Sequence, residues 1–166
     1  MKNKSEVPKI PKGTVQNNIK LKLTVQYAKE ITPYLKQIPT RVHFRKWFKA
    51  GLIQNADITL RIVGEAEGYR YNRKFRGKDY ATNVLTFVYG DTMPLSGDIV
   101  ICASVVEREA NQQQKDLMAH YAHLVIHSVL HLQGYEHRNR KSTEIMERLE
   151  TKIIMRLGFG DPYQEF

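Results

Sequence analysis

The segment HSVLHLQGYEH, His127 to His137, constrains this chain more than any other stretch. It closes a run from about Asp116 to Gln133 that reads as one helix, which Gly134 stops. His127 and His131 are four residues apart on that helix and therefore share a face, roughly 6 Å apart along the axis. Glycine tolerates a left-handed backbone, so the chain can turn back at Gly134 and bring His137 to the same point from outside the helix. Three neutral imidazoles around one ion leave a fourth position open, as catalytic zinc sites do. An isolated pair of histidines at this spacing would read as structural or solvated. The turn glycine and the third histidine make His127, His131 and His137 a candidate metal triad.

One class of zinc peptidase carries H-E-x-x-H-x-x-G-x-x-H. Its histidines and glycine are all matched here, but Ser128 stands where the glutamate general base would be. Serine does not accept a proton near neutral pH in that role, so peptide hydrolysis by the usual route is disfavoured. A metal can still polarise a phosphoryl oxygen or lower the pKa of a water. Phosphodiester cleavage also asks for cations around the phosphate. RYNRKFRGK, Arg70 to Lys78, supplies five positive charges and two aromatics, Tyr71 and Phe75. Arg138, Arg140 and Lys141 follow directly on the third histidine. Arg73, Lys74, Lys78, Arg138, Arg140 and Lys141 are thus candidate phosphate contacts. His120 and His123 fall near the ligand stripe; His123 is a candidate partner of the site, and His120 reads as surface or packing.

The wider composition agrees with a polyanionic partner. Lysine and arginine number 26 against 17 acids among 166 residues, for a net charge of +9. No apolar run approaches the ~18 residues needed to cross a bilayer, and the basic N-terminus has no apolar segment behind it. A cytoplasmic protein with no membrane partner is the expectation. The single cysteine, Cys102, excludes an internal disulfide and reads as a small apolar strand residue. Residues 1–19, with Lys2, Lys4, Lys9 and Lys12, read as a mobile basic leader, and residues 20–166 as one domain.

Within that domain LKLTVQY (Leu21 to Tyr27) and ADITLRIV (Ala56 to Val63) alternate as strands, and NVLTFVY and GDIVICASV look like two more, separated by a turn around Asp91 and Pro94. Thr40 can cap a helix through Val42, Phe44, Trp47 and Phe48, whose aromatics read as core. GEAEGYRYNRKFRG reads as a helix with its acids early and its cations late, as the helix dipole favours. A helix is expected near Val105. Another spans about Ser142 to Leu157, with Ile145, Met146, Leu149, Ile153 and Met155 mostly on its packing side. The whole fits one α+β domain, a mixed four-stranded sheet covered by helices.

These residues resemble the YbeY family of bacterial endoribonucleases, the rRNA maturation factors. The family's H-G-x-L-H-L-x-G-Y-D-H stands here as HSVLHLQGYEH. Its asparagine, aromatic-Arg pair, Lys-Asp and T-D-V-L-S-F stand as YNRKFRGKDYATNVLTF (Tyr71 to Phe87), and G-D-I-V-I as Gly97 to Ile101. The resemblance spans about residues 20 to 158. It implies zinc, or another transition ion such as nickel, on His127, His131 and His137, with Arg76 as the catalytic or phosphate-binding arginine. It also implies single-strand RNA cleavage in maturing the small-subunit rRNA precursor and in ribosome quality control, with ribosomal or assembly proteins as further partners. Ser128 replaces the family's glycine, Asn83 an aspartate and Glu136 an aspartate. Ser128 would either narrow the space beside the metal or hydrogen-bond within its helix, and Asn83 keeps hydrogen bonding but loses charge. Two other classes remain open to the sequence: a non-catalytic assembly factor with structural zinc, and a metal-dependent hydrolase of another substrate such as a peptide.

Overall fold

The alternating segments form the sheet. In the computed structural model, which describes residues 18–164, the strands are β1 (Leu21–Tyr27), β2 (Ala56–Val63), β3 (Val84–Val88) and β4 (Leu95–Cys102). Their order is β1-β2-β4-β3; β1, β2 and β4 run parallel, and β3 pairs antiparallel with β4 at one edge. The sheet is therefore mixed and four-stranded, as the sequence suggests. The basic leader expected for residues 1–19 lies, through residue 17, outside the described residues.

The helices are α1 (Arg41–Gly51), α2 (Glu65–Arg76), α3 (Ala103–Gln112), α4 (Leu117–Leu132) and α5 (Arg140–Arg156), with a 3-10 helical stretch at Lys29–Gln37. The period-2 pattern of β2 buries Ala56, Ile58, Leu60 and Ile62 on one face. Gly97 of β4 is registered with Ile58, and a Cβ there would meet Leu132 of α4 at 2.7 Å. Val63 and Cys102 are also registered, but lie an odd number of residues further along and so face the other way. A Cβ at Gly68 of α2 would meet Cys102 Sγ at 3.0 Å. Helices α4 and α2 thus cover opposite faces of the sheet.

Helix α4 is enclosed almost all round, with Tyr121, Leu124, Val125, Ile126, Val129, Leu130 and Leu132 buried. Asp116 caps its start, accepting from the Ala119 N–H at 3.0 Å. Helix α1 crosses it closely, since a Cβ at Gly51 would meet Val129 Cγ1 at 2.3 Å. The buried Gln133 side chain ties the two helix ends together: its Nε2 donates to Gly51 O at 2.7 Å, and its Oε1 accepts from Ile53 N at 2.8 Å. The C-terminal end of α4, where two candidate ligands sit, is held on two sides by the core.

Some boundaries differ from the sequence reading. Strand β4 ends at Cys102, and Ala103 already opens α3, so Ala103 to Val105 are helical rather than extended. In α1 the aromatics Phe44, Trp47 and Phe48 are core as expected, and Val42 in the first turn is 77% exposed. In α5 the buried positions are Met146, Glu150, Ile153 and Ile154, while Met155 is 56% exposed. The packing stripe follows 146, 150, 153 and 154, at helical spacing, and 155 falls off it.

Candidate metal centre

Two ligand candidates leave the last turns of α4 and the third comes from the loop behind it. Gly134 has φ 98°, a left-handed value that side chains rarely adopt, so the chain reverses there as expected. The reversal is pinned by the Tyr135 N–H bonding Leu130 O at 3.1 Å and by burial of the Tyr135 ring. The ring centroids of His127 and His131 lie 4.6 Å apart, those of His131 and His137 4.9 Å, and those of His127 and His137 5.6 Å. One nitrogen from each of the three lies within 4.8 Å of the others.

The donor set fits a tetrahedral ion. Nε2 of His131 is 3.1 Å from Nε2 of His127. Two nitrogens each ~2.0–2.1 Å from one zinc-sized ion lie roughly 3.3–3.4 Å apart at the tetrahedral angle. Burial, with repulsion from His127 and His137 adding to it, pushes His131 down to about 4. That ring is therefore neutral near pH 7, as a metal ligand must be.

A residue that sequence reasoning missed completes the arrangement. Glu150 of α5 is 0% exposed, and its Oε1 takes a hydrogen bond from Nδ1 of His127. For Nδ1 to donate, the neutral imidazole carries its proton there, which leaves the Nε2 lone pair for a metal. The other oxygen, Oε2, accepts from His123 Nε2 at 3.0 Å and from the Tyr163 hydroxyl. Burial alone would raise this carboxyl, but the hydrogen bonds from His123 and His127 outweigh it and hold it down at about 2. Glu150 is thus an ionised, enclosed carboxylate whose two oxygens are both engaged. Its one signal in the sequence was an acid on the apolar stripe of a helix, between Met146 and Ile153.

The remaining candidates fall in different places. His123 reaches the site through Glu150. His120 is buried against Glu109, 3.3 Å away, which is a packing position. Ser128 is buried, and its hydroxyl donates to Leu124 O at 2.7 Å, so it bonds within the helix. Asn83 donates to Glu109 at 3.0 and 3.2 Å, and its Oδ1 accepts from Val84 N at 2.6 Å. These bonds join the start of β3 to α3 and involve none of the triad.

Arg76 is exposed in the last turn of α2, where Gly77 at φ 65° ends the helix. The buried Asn72 fixes the following loop by donating to Tyr80 O at 2.6 Å. Arg73 lies 3.2 Å from the Tyr69 hydroxyl and 3.8 Å from Asp79, and Lys74 Nζ sits 5.3 Å from the Phe75 ring centroid. Lys78 is exposed beyond the helix. Arg138 pairs with Glu136 at 2.8 Å and Arg140 with Glu144 at 3.2 Å. Arg140 and Lys141 form the first turn of α5, and Lys141 is exposed.

Residues 14–158 match the family model described as Endoribonuclease YbeY. The chain belongs to the YbeY family. It is 52% identical to the endoribonuclease YbeY of Nitrosospira multiformis, over 98% of this chain and 94% of that one. With the same-named proteins of Nitrosomonas eutropha and Nitrosomonas europaea it shares 60% and 55% identity, over 85% and 93% of this chain and 97% and 92% of theirs. A solution structure of a Thermotoga maritima protein aligns with a TM-score of 0.51 at 23% identity, covering 87% of this chain and 99% of that one, and supports the fold. The three YbeY motifs read from the sequence all lie within the matched span. No helix among the described residues is long and apolar enough to cross a membrane.

Proposed function

We propose that this chain is a zinc-dependent, cytoplasmic endoribonuclease that cuts single-stranded RNA at the ends of the small-subunit rRNA precursor, working with ribosomal or assembly proteins. The observation that carries this reading is the convergence of His127, His131 and His137, with Glu150 fixing the tautomer of His127. A divalent ion held there supplies Lewis-acid chemistry at a phosphoryl oxygen.

The chain's own groups divide the remaining work. Arg76 grips two oxygens of the scissile phosphate and meets the charge that builds there. Arg73, Lys74, Lys78, Arg138, Arg140 and Lys141 hold the flanking backbone. Arg140 and Lys141 open α5 with no acid in its first turn. Cations at a helix N-terminus oppose the helix dipole, a cost that a helix start selected for stability alone would avoid. Glu150 is not the general base, because it is enclosed and both its oxygens are taken. The Ser128 hydroxyl is likewise committed to Leu124. Proton removal from the attacking group therefore falls to a group outside these two side chains.

The test is metal analysis of the purified chain, followed by incubation with labelled single-stranded RNA beside a casein control. Zinc at one per chain with RNA cut and casein intact is the expected result. Zinc with neither substrate cut would favour an assembly factor, and casein cleavage a peptidase. The ends then report the attacking group: a 2′,3′-cyclic phosphate marks the RNA's own hydroxyl, and a 5′-phosphate marks water.

A further inference from the structure

The segment after α5 folds back toward the triad without contributing a ligand. Gly158, at φ 93°, turns the chain, and the Phe159 N–H bonds Ile154 O at 3.2 Å. The Phe159 ring packs edge-on to Trp47 at 6.2 Å between centroids. Lys115 Nζ donates to Pro162 O at 2.7 Å, and Asp161 Oδ1 accepts from Tyr163 N at 2.9 Å. These anchors set the Tyr163 ring against His123, 5.2 Å between centroids and nearly perpendicular, with its hydroxyl on Glu150 Oε2.

We propose that Tyr163 is a positioning residue for the metal site, acting through Glu150. A buried carboxylate is tolerated only when its lone pairs are met. Glu150 has two oxygens and three side-chain donors. His127 takes Oε1, and His123 with Tyr163 holds Oε2. Fixing Oε2 fixes the rotation of the whole carboxylate, and hence the direction in which Oε1 meets His127 Nδ1. Partners of this kind orient the ligand ring and raise its basicity. Tyr163 itself is 41% exposed, so the outermost member of the relay lies at the surface on a segment that follows the last helix.

The inference rests on the triad holding zinc, and its readout is zinc affinity rather than RNA cleavage. Affinity of the full-length chain for zinc alone is measured by competition with a chromophoric chelator, with far-ultraviolet dichroism as the check on folding. Glu150→Gln is expected to weaken binding about 10–100-fold, the usual range for loss of such a partner. Tyr163→Phe, which removes only the hydroxyl on Glu150, is expected to weaken it about threefold or more. Adding Tyr163→Phe to Glu150→Gln is expected to change little further, because the tyrosine acts through the carboxylate. If Glu150→Gln does not fold, Tyr163→Phe still decides. Wild-type affinity in Tyr163→Phe overturns the proposal, and so does full additivity in the double variant. A wild-type chain that binds no zinc overturns both this and the reading it rests on, whereas a zinc-binding chain without nuclease activity overturns only the proposed function.

Discussion

The Ser128 hydroxyl donates a 2.7 Å hydrogen bond to the carbonyl of Leu124, one turn back in the same buried helix. The side chain beside the first ligand is thereby turned along the helix and away from acid-base work. Of the two roles open to this serine, this hydrogen bond supports the one internal to the helix.

Ser128→Gly should therefore leave cleavage by the zinc-loaded protein within a few-fold of wild type. It should cost about 1 kcal/mol of stability, since glycine is the poorer helix former and a buried group is removed. Thermal unfolding measures the second effect and single-turnover cleavage the first. A collapse of activity with zinc retained would give the hydroxyl a chemical role.

The triad makes a sharper prediction about metal. His127→Ala, His131→Ala and His137→Ala should each lose most of the zinc after dialysis, because two imidazoles remain of three. His120→Ala should keep it, since that ring bonds Glu109 outside the cluster. Metal content by mass spectrometry decides. Full occupancy in the His131→Ala protein would sink the assignment.

Glu109 should contribute to the acid limit of the fold. Burial tends to raise its carboxyl, but hydrogen bonds from His120 and Asn83 more than offset this and hold it below the ordinary value of 4.5. A carboxyl lowered in the folded state adds stability that is fully present above its unfolded value. That stability is lost as pH falls from about 4.5 through the lower folded value. Glu109→Gln should thus be less stable than wild type at pH 7 and show a shallower loss of stability as pH falls below about 4.5. Denaturant unfolding at pH 3, 4, 5 and 7 tests this, and parallel pH profiles for the two proteins would contradict it.

The triad was legible because its information is local: four residues on a helix, a glycine, and a third histidine within one turn of chain. The strands were legible for the same reason, since alternation at Ala56, Ile58, Leu60 and Ile62 marks a face directly. Glu150 was not, because it meets His127 across 23 positions and two helices, and nothing near either residue encodes that pairing. A buried acid between Met146 and Ile153 was the available sign. The sequence sets Met155 among residues mostly on the packing side of α5 and leaves Ile154 out, whereas in the fold Ile154 is buried and Met155 exposed, a shift of one residue between two apolar neighbours. Asn83 resembled a site residue in its motif, yet its bonds go to Glu109 and Val84, a tertiary fact that spacing cannot supply.

Arg76 carries the last prediction. It stands exposed at the end of α2, where Gly77 turns the chain and Asn72 pins the loop beyond. A guanidinium that meets charge building on the scissile phosphate acts in the transition state, so its loss should fall on turnover more than on affinity. Arg76→Ala should keep the fold and the zinc and slow cleavage at least about tenfold, on the order of 1.4 kcal/mol of barrier. Arg73 and Lys74 lie in the same run and serve as controls. Their alanine variants should mainly weaken binding and flatten its salt dependence. On a single strand the logarithmic slope should fall by about 0.7 for each phosphate that is no longer neutralised. Single-turnover cleavage at saturating enzyme separates the two effects, because binding defects vanish there. If all three variants cleave alike under that condition, Arg76 is one cation of a basic patch, and another group must stabilise the phosphate.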